Sequence, residues 1–107
     1  MSDRITVSSI RDLNLHDSEL LDVVVKMDEV TMHLDYIDDY ETMKCSRRDL
    51  VFRKCSNVAF KINPGYAPPD SILLGDESAS DEGRKIRIEL NTSASVIEIT
   101  AKEVELV

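Results

Sequence analysis

Two adjacent runs of strict alternation constrain this chain more than any other feature. In the stretch 20–28, Leu21, Val23, Val25 and Met27 are apolar. In the stretch 29–37, Val30, Met32, Leu34 and Tyr36 repeat the pattern. A period of two puts each set on one face of a β-strand. A two-residue turn at Asp28-Glu29 sets Met27 opposite Val30, Val25 opposite Met32, Val23 opposite Leu34 and Leu21 opposite Tyr36. Both apolar sets then share a face, as a hairpin register requires. Tight hairpin turns need positive φ, which Glu29 resists, so a longer or bulged turn with an adjusted register is the alternative. The other face of the second strand carries Glu29, Thr31, His33 and Asp35 and meets water. In this register His33 lies across from Val24.

The rest of the chain reads as more of the same. Val7, Ile10 and Leu13 fit either a strand or a short helical turn capped by Ser8 or Ser9. The polar stretch 38–46 reads as a loop or as an extension of the second strand. Residues 49–63 alternate on even positions, as one bent strand or as two strands joined at Lys54–Asn57. All three prolines and all three glycines fall between residues 63 and 83. Within that region, 69–75 reads as a single helical turn ended by Gly75, and 76–83 as a mobile linker or recognition loop. Ile86, Ile88 and Leu90 mark another strand. The final strand runs from 96 to 107, with a phase slip at Lys102-Glu103 that signals a bulge. The fold class is therefore mainly β. Five to seven strands form an antiparallel meander with one or two short helical turns, and the sheet buries its apolar face as a curled sheet, a sandwich or a partly open barrel.

At 107 residues the chain is expected to form one domain, and 42% hydrophobic content suits a globular core. No apolar run approaches the length of a membrane span. The opening Met-Ser-Asp-Arg is not the apolar stretch of a signal peptide, so a cytoplasmic location is expected. Cys45 and Cys55 are read as free thiols in that compartment. The net charge of −8 is uneven: −7 over 14–45, +4 over 46–63 and −5 over 64–83. An acidic chain argues against nucleic-acid and anionic-membrane binding and favours a basic protein partner.

The one compact group of potentially chemical residues is His16-Asp17-Ser18. Three consecutive side chains diverge and cannot form a hydrolase triad, and no Gly-x-Ser-x-Gly elbow is present. The better reading is structural. Asp17 or Ser18 accepts backbone N–H bonds and fixes the approach to the first strand, and Asp17→Ala then costs on the order of 1 kcal/mol. Candidate partner-binding acids are Asp35, Asp38, Asp39 and Glu41 in one group, and Asp76, Glu77, Asp81 and Glu82 in another. Arg47, Arg48, Arg53 and Lys54 form a basic island expected to pair with acids across strands. No catalytic residue, metal site or cofactor is assigned.

Leu15-His16-Asp17-Ser18-Glu19-Leu20-Leu21-Asp22-Val23 resembles the opening of small uncharacterised bacterial β proteins, in which a His-Asp-Ser or His-Asp-Ala motif runs into a hairpin. Leu50–Arg53 and Ile97–Leu106 are similar to later strands of that group. Some of these proteins resemble immunity proteins. The resemblance implies a non-catalytic protein-binding module of the immunity type, and the acidic charge makes it an inhibitor of a basic partner. Two other classes stand beside it: a metal-dependent or hydrolytic enzyme using His16, Asp17 and His33, and a self-associating β module that forms a homodimer.

Overall fold

The computed structural model describes residues 4–107, and they are mainly antiparallel sheet. The nine strands are β1 (Ile5–Thr6), β2 (Glu19–Lys26), β3 (Glu29–Asp39), β4 (Lys44–Arg53), β5 (Asn57–Lys61), β6 (Asp70–Ser80), β7 (Gly83–Leu90), β8 (Val96–Ala101) and β9 (Glu103–Leu106). The only helical piece among the described residues is a 3-10 turn at Ile10–Asp12, capped by Ser9, whose Oγ accepts the Arg11 N–H. There are more strands than the five to seven expected. A two-residue strand forms at the N-terminal end, the phase slip at Lys102 divides the last strand, and 70–80 is extended.

The strands form one continuous order, β1-β9-β4-β3-β2-β6-β7-β8-β5. In it β8 and β9 lie six places apart, yet only Lys102 separates them in the chain. Neighbouring strands are about 4.8 Å apart, so a one-residue link closes that gap only if the sheet curls on itself. The curl also explains the core. Leu34, Leu50 and Phe52 from one arm and Ile72, Ile86, Ile88 and Ile99 from the other form a single buried cluster. The arms meet along a short seam, where β2 pairs with β6 only at Glu19↔Ser71 and Leu20↔Asp70.

The hairpin keeps its expected facing but not its expected register. The turn is Met27-Asp28 rather than Asp28-Glu29, so Val25 pairs with Val30 and Val23 with Met32. Met27 takes the positive φ, 49°, and Lys26 falls opposite Glu29, an opposite-charge pair. A bulge at Leu21 then shifts parity and turns Leu20, rather than Leu21, into the core beside Leu34. His33 consequently lies across from Asp22, not Val24. Beyond the seam the inner face of β2 loses its cover, leaving Val25 half exposed.

Residues 69–75 are not a helical turn and 76–83 is not a linker; together they build the β6–β7 hairpin. A bulge at Leu73 breaks the alternation that would have marked β6. Gly75 is a site of close approach rather than a helix stop. A Cβ there would lie 2.7 Å from Leu15 Cδ1 and 3.0 Å from Ile10 Cγ2, so glycine lets the 3-10 turn pack on the strand. The polar half of β6 is held by cross-strand pairs such as Asp76↔Arg87 and Ser78↔Lys85. The stretch 49–63 does divide into two strands, and Lys54, at φ 54°, makes the corner between them.

Candidate functional site

His16, Asp17 and Ser18 lie in the passage between the 3-10 turn and β2, and they divide the work differently from the sequence reading. Ser18 is fully buried. Its hydroxyl donates to Asn14 O at 2.6 Å and accepts the Ile37 N–H at 3.0 Å. Its carbonyl accepts the Ile72 N–H. Ser18 thus ties the passage to β3 on one side and to β6 on the other. The Asp17 side chain accepts no backbone N–H from a described residue. Its side chain is exposed, 3.5 Å from His16 Nε2, while its own N–H donates to Ile72 O. Its backbone adopts φ 71°, a left-handed conformation that Asp tolerates better than most residues. Asp17→Gly is therefore expected to change stability by less than about 0.5 kcal/mol, whereas Asp17→Val costs about 1–2 kcal/mol. Equilibrium unfolding of both variants checks this order.

The ring of His16 donates from Nδ1 to Leu73 O at 2.8 Å, and its carbonyl accepts the Tyr40 hydroxyl at 2.7 Å. Tyr40 sits in the turn between β3 and β4, so that turn is fastened over the His16-Asp17 motif. Partial burial, then the Asp17 carboxylate and Tyr36, raise the Tyr40 hydroxyl above its ordinary pKa. His33 has different partners. On the outer face of the sheet, Asp49 Oδ1 lies 2.7 Å from its Nδ1 and Asp22 Oδ1 3.6 Å from its Nε2. The three side chains form a row across β4, β3 and β2 that no local spacing announces. Among the described residues no three His, Cys, Asp or Glu side chains converge as metal ligands would.

The candidate acids fall into two kinds. Glu77 is largely buried and takes both Nε and a terminal nitrogen of Arg84, at 2.8 and 2.9 Å, and also accepts the Ile10 N–H. These Arg84 hydrogen bonds, against the upward push of burial and helped by Ile10, hold its carboxyl below the ordinary value. Asp76 accepts Arg11 Nε at 2.6 Å. Both carboxylates fasten the 3-10 turn to β6. Asp38 pairs with Arg48, and Asp35 lies between Glu19 on β2 and Arg47 on β4. Asp39, Glu41 and Asp81 have no ion-pair partner among the described residues, and Glu82 meets only the Ser56 hydroxyl, at 3.4 Å. The basic island pairs as its charge suggests for three of its four members: Arg48 with Asp38, Arg53 with Glu29 and Glu105, and Lys54 with Glu103.

The free carboxylates Asp39 and Glu41 therefore share one end of the molecule with Asp17. The same turn carries Tyr40 and Met43, exposed by 42% and 55%, and Leu73, 44% exposed, offers its carbonyl to His16. Lys44, opposite Asp39 in register, is the one base of this turn. Next to it opens a cleft of about 640 Å³ between the N-terminal segment and β4; of its charged groups, Asp38 and Arg48 pair with each other. A second concavity, an apolar groove of about 410 Å³, lies at the mouth between the arms. Val23, Val25, Phe60, Ile62 and Tyr66 line it. Phe60 and Ile62 share the even-position apolar face of the 49–63 run with buried Leu50 and Phe52, because an inward residue at the mouth of a curled sheet has the same parity as one at its centre.

Both cysteines are free thiols; Cys45 is exposed and Cys55 half buried. No helix among the described residues is long and apolar enough to cross a membrane. No protein-family model matches the chain, and a search of curated proteins finds no match.

Proposed function

We propose that this chain is a non-catalytic module that binds a basic protein through the acidic end formed by Asp17, Asp39, Tyr40 and Glu41. The observation that carries this reading is the contrast between the two groups of acids. Asp76 and Glu77 are engaged by arginines of the same chain, whereas Asp39 and Glu41 surround exposed Tyr40 and Met43 without such a partner. Tyrosine and methionine are enriched in protein interfaces, and unpaired rim carboxylates steer a basic partner and raise its association rate. The hydrogen bond from Tyr40 to His16 O and that from His16 to Leu73 O hold the surface in shape before binding, which lowers the ordering cost. His16 then supports the surface rather than performing chemistry. An inhibitor of a basic partner fits this arrangement, since some of the small β proteins that the Leu15–Val23 motif resembles themselves resemble immunity proteins.

The test is a capture experiment from the native host with three forms of the protein. The wild type is expected to retain one stoichiometric partner of basic composition, released as salt rises. Asp39→Lys with Glu41→Lys is expected to abolish capture, while Asp81→Lys with Glu82→Lys at the β6–β7 tip leaves it intact. The reverse pattern would move the interface to the tip. A wild type that captures nothing at any ionic strength would remove the proposal.

A further inference from the structure

The curled sheet leaves several strand stretches paired on one side only, and the one on β2 is rich in valine. Glu19 and Leu20 of β2 pair with β6, but from Leu21 to Lys26 the strand pairs with β3 on one side and with no described residue on the other. Lys26↔Glu29 closes a two-residue hairpin, and such a closing pair exchanges hydrogen bonds. Alternation along an antiparallel ladder then directs the N–H and C=O of Val24 and Asp22 to β3, and those of Val23 and Val25 to the bare edge. Val24 and Val25 are 40% and 48% exposed. An unpaired edge rich in β-branched residues, with no proline, is a template for another strand.

We infer that the strand it takes is β2 of a second copy of this chain, antiparallel about a two-fold axis at Val24. The sequence Asp22-Val23-Val24-Val25-Lys26 is complementary to itself in that arrangement. Asp22 falls opposite Lys26 of the second copy, and Lys26 opposite its Asp22. Val23 falls opposite Val25 in both directions, and Val24 meets its own counterpart. The parity agrees with the structure: Asp22, Val24 and Lys26 point to the outer face, where Val24 and Lys26 lie beside Thr31 and His33. Val23 and Val25 point to the groove and would continue its apolar wall beside Phe60 and Ile62. The Val23–Val25 pairs are also the ones whose main-chain groups face the bare edge, so each would exchange two hydrogen bonds, while Val24–Val24 forms the close non-hydrogen-bonded pair.

The other edges are poorer candidates for self-pairing. On β5, the same operation about Ala59 sets Asn57 opposite Lys61 and gains no charge pair. On β1 only Ile5 and Thr6 are strand; the one-sided stretches 44–48 of β4 and 74–80 of β6 carry charge of one sign, Lys44, Arg47 and Arg48 or Asp76 and Glu77, and would repel their own copies. The β2 edge is also separate from the turn that carries Asp39 and Glu41, so self-pairing and partner binding are independent and are tested apart.

Sedimentation velocity from about 5 to 500 µM, a range that brackets the weak affinities of small interfaces, reads the result directly. The wild type is expected to form a dimer. Asp22→Lys sets like charges opposite each other at two symmetric places and is expected to weaken dimerisation about tenfold or more. Lys26→Asp should do the same, and the double exchange Asp22→Lys with Lys26→Asp should restore the wild-type constant. Val25→Pro deletes a donor aimed at the bare edge and no donor to β3, so it should give a monomer with unchanged circular dichroism. If Val25→Pro unfolds, the charge exchange alone decides. A wild type that stays monomeric across the range would overturn the inference, leaving the edge to a strand from a different protein. A dimer unaffected by Asp22→Lys would overturn it equally.

Discussion

Ser18→Ala is expected to destabilise the fold by about 3 kcal/mol, far more than any removal of the Asp17 carboxylate. The hydroxyl is fully buried and makes two bonds at once, donating to Asn14 O and accepting from Ile37 N. Alanine leaves that N–H without a partner in a buried place and that carbonyl without one in a part-buried place. An unpaired buried group costs about 1–3 kcal/mol, and two are stranded here. The damage also has a direction. Ile37 lies near the end of β3, just before the turn that bears Asp39, Tyr40 and Glu41, and Asn14 donates from Nδ2 to Ile37 O and Asp38 O. A loosened Ser18 therefore loosens the proposed binding surface. Urea unfolding should show the midpoint fall, and amide exchange at Ile37 should accelerate more than in the core of β7. A loss below about 0.5 kcal/mol, the level of an ordinary surface substitution, would show that Ser18 does not lock the passage.

The same motif shows where the sequence was legible and where it was not. That His16-Asp17-Ser18 fixes the approach to a strand follows from the residue types, since Asp and Ser both bond to nearby backbone. Which of the two does so depends on Ile37, 19 residues further along, and no local pattern encodes that contact. The hairpin is similar. Alternation of Val23 and Val25 with Val30 and Met32 revealed the shared face. The register depended on Met27 accepting a positive φ and on the bulge at Leu21, and neither leaves a mark in composition. β6 was misread because two real features imitate a helical turn: Asp70 resembles a cap, and Gly75 resembles a stop. Both are explained by contacts from elsewhere in the chain, Thr92 and Ser93 for Asp70 and Leu15 for Gly75. The acids Asp76, Glu77, Asp81 and Glu82 look alike in a charge profile. Only Arg11 and Arg84, which fold onto the first two, separate structural carboxylates from free ones.

Asp70 should be the group through which acid weakens this fold. It lies at the seam between the two arms, opposite Leu20, with its side chain buried. Burial by itself would raise the carboxyl. Hydrogen bonds from the Thr92 N–H at 3.0 Å, the Ser93 hydroxyl at 2.9 Å and the Ser93 N–H at 3.3 Å outweigh it and hold the group below its ordinary value. A carboxyl with a depressed folded-state value binds protons more readily in the unfolded chain. Its stabilisation is complete at neutral pH, begins to fade near the unfolded value of about 4, and is lost as pH falls through the folded value. Glu77, depressed by Arg84, acts in the same sense. Asp70→Ala removes the acceptor for all three donors and should cost about 3 kcal/mol at pH 7. Asp70→Asn keeps one acceptor oxygen but places an amide against donors, and should cost about 1–2 kcal/mol. The gap between either variant and the wild type should narrow as pH falls below about 4, because protonation removes from the wild type the charge that the substitution has already removed; the Asp70→Ala gap keeps the part due to the lost acceptor oxygens. Urea midpoints at a series of pH values measure this convergence. A stability gap that stays constant down to acid pH would show that the Asp70 charge does not hold the seam. Convergence would place the acid-sensitive point where β2 meets β6, two residues from the Ile72 N–H that Ser18 receives.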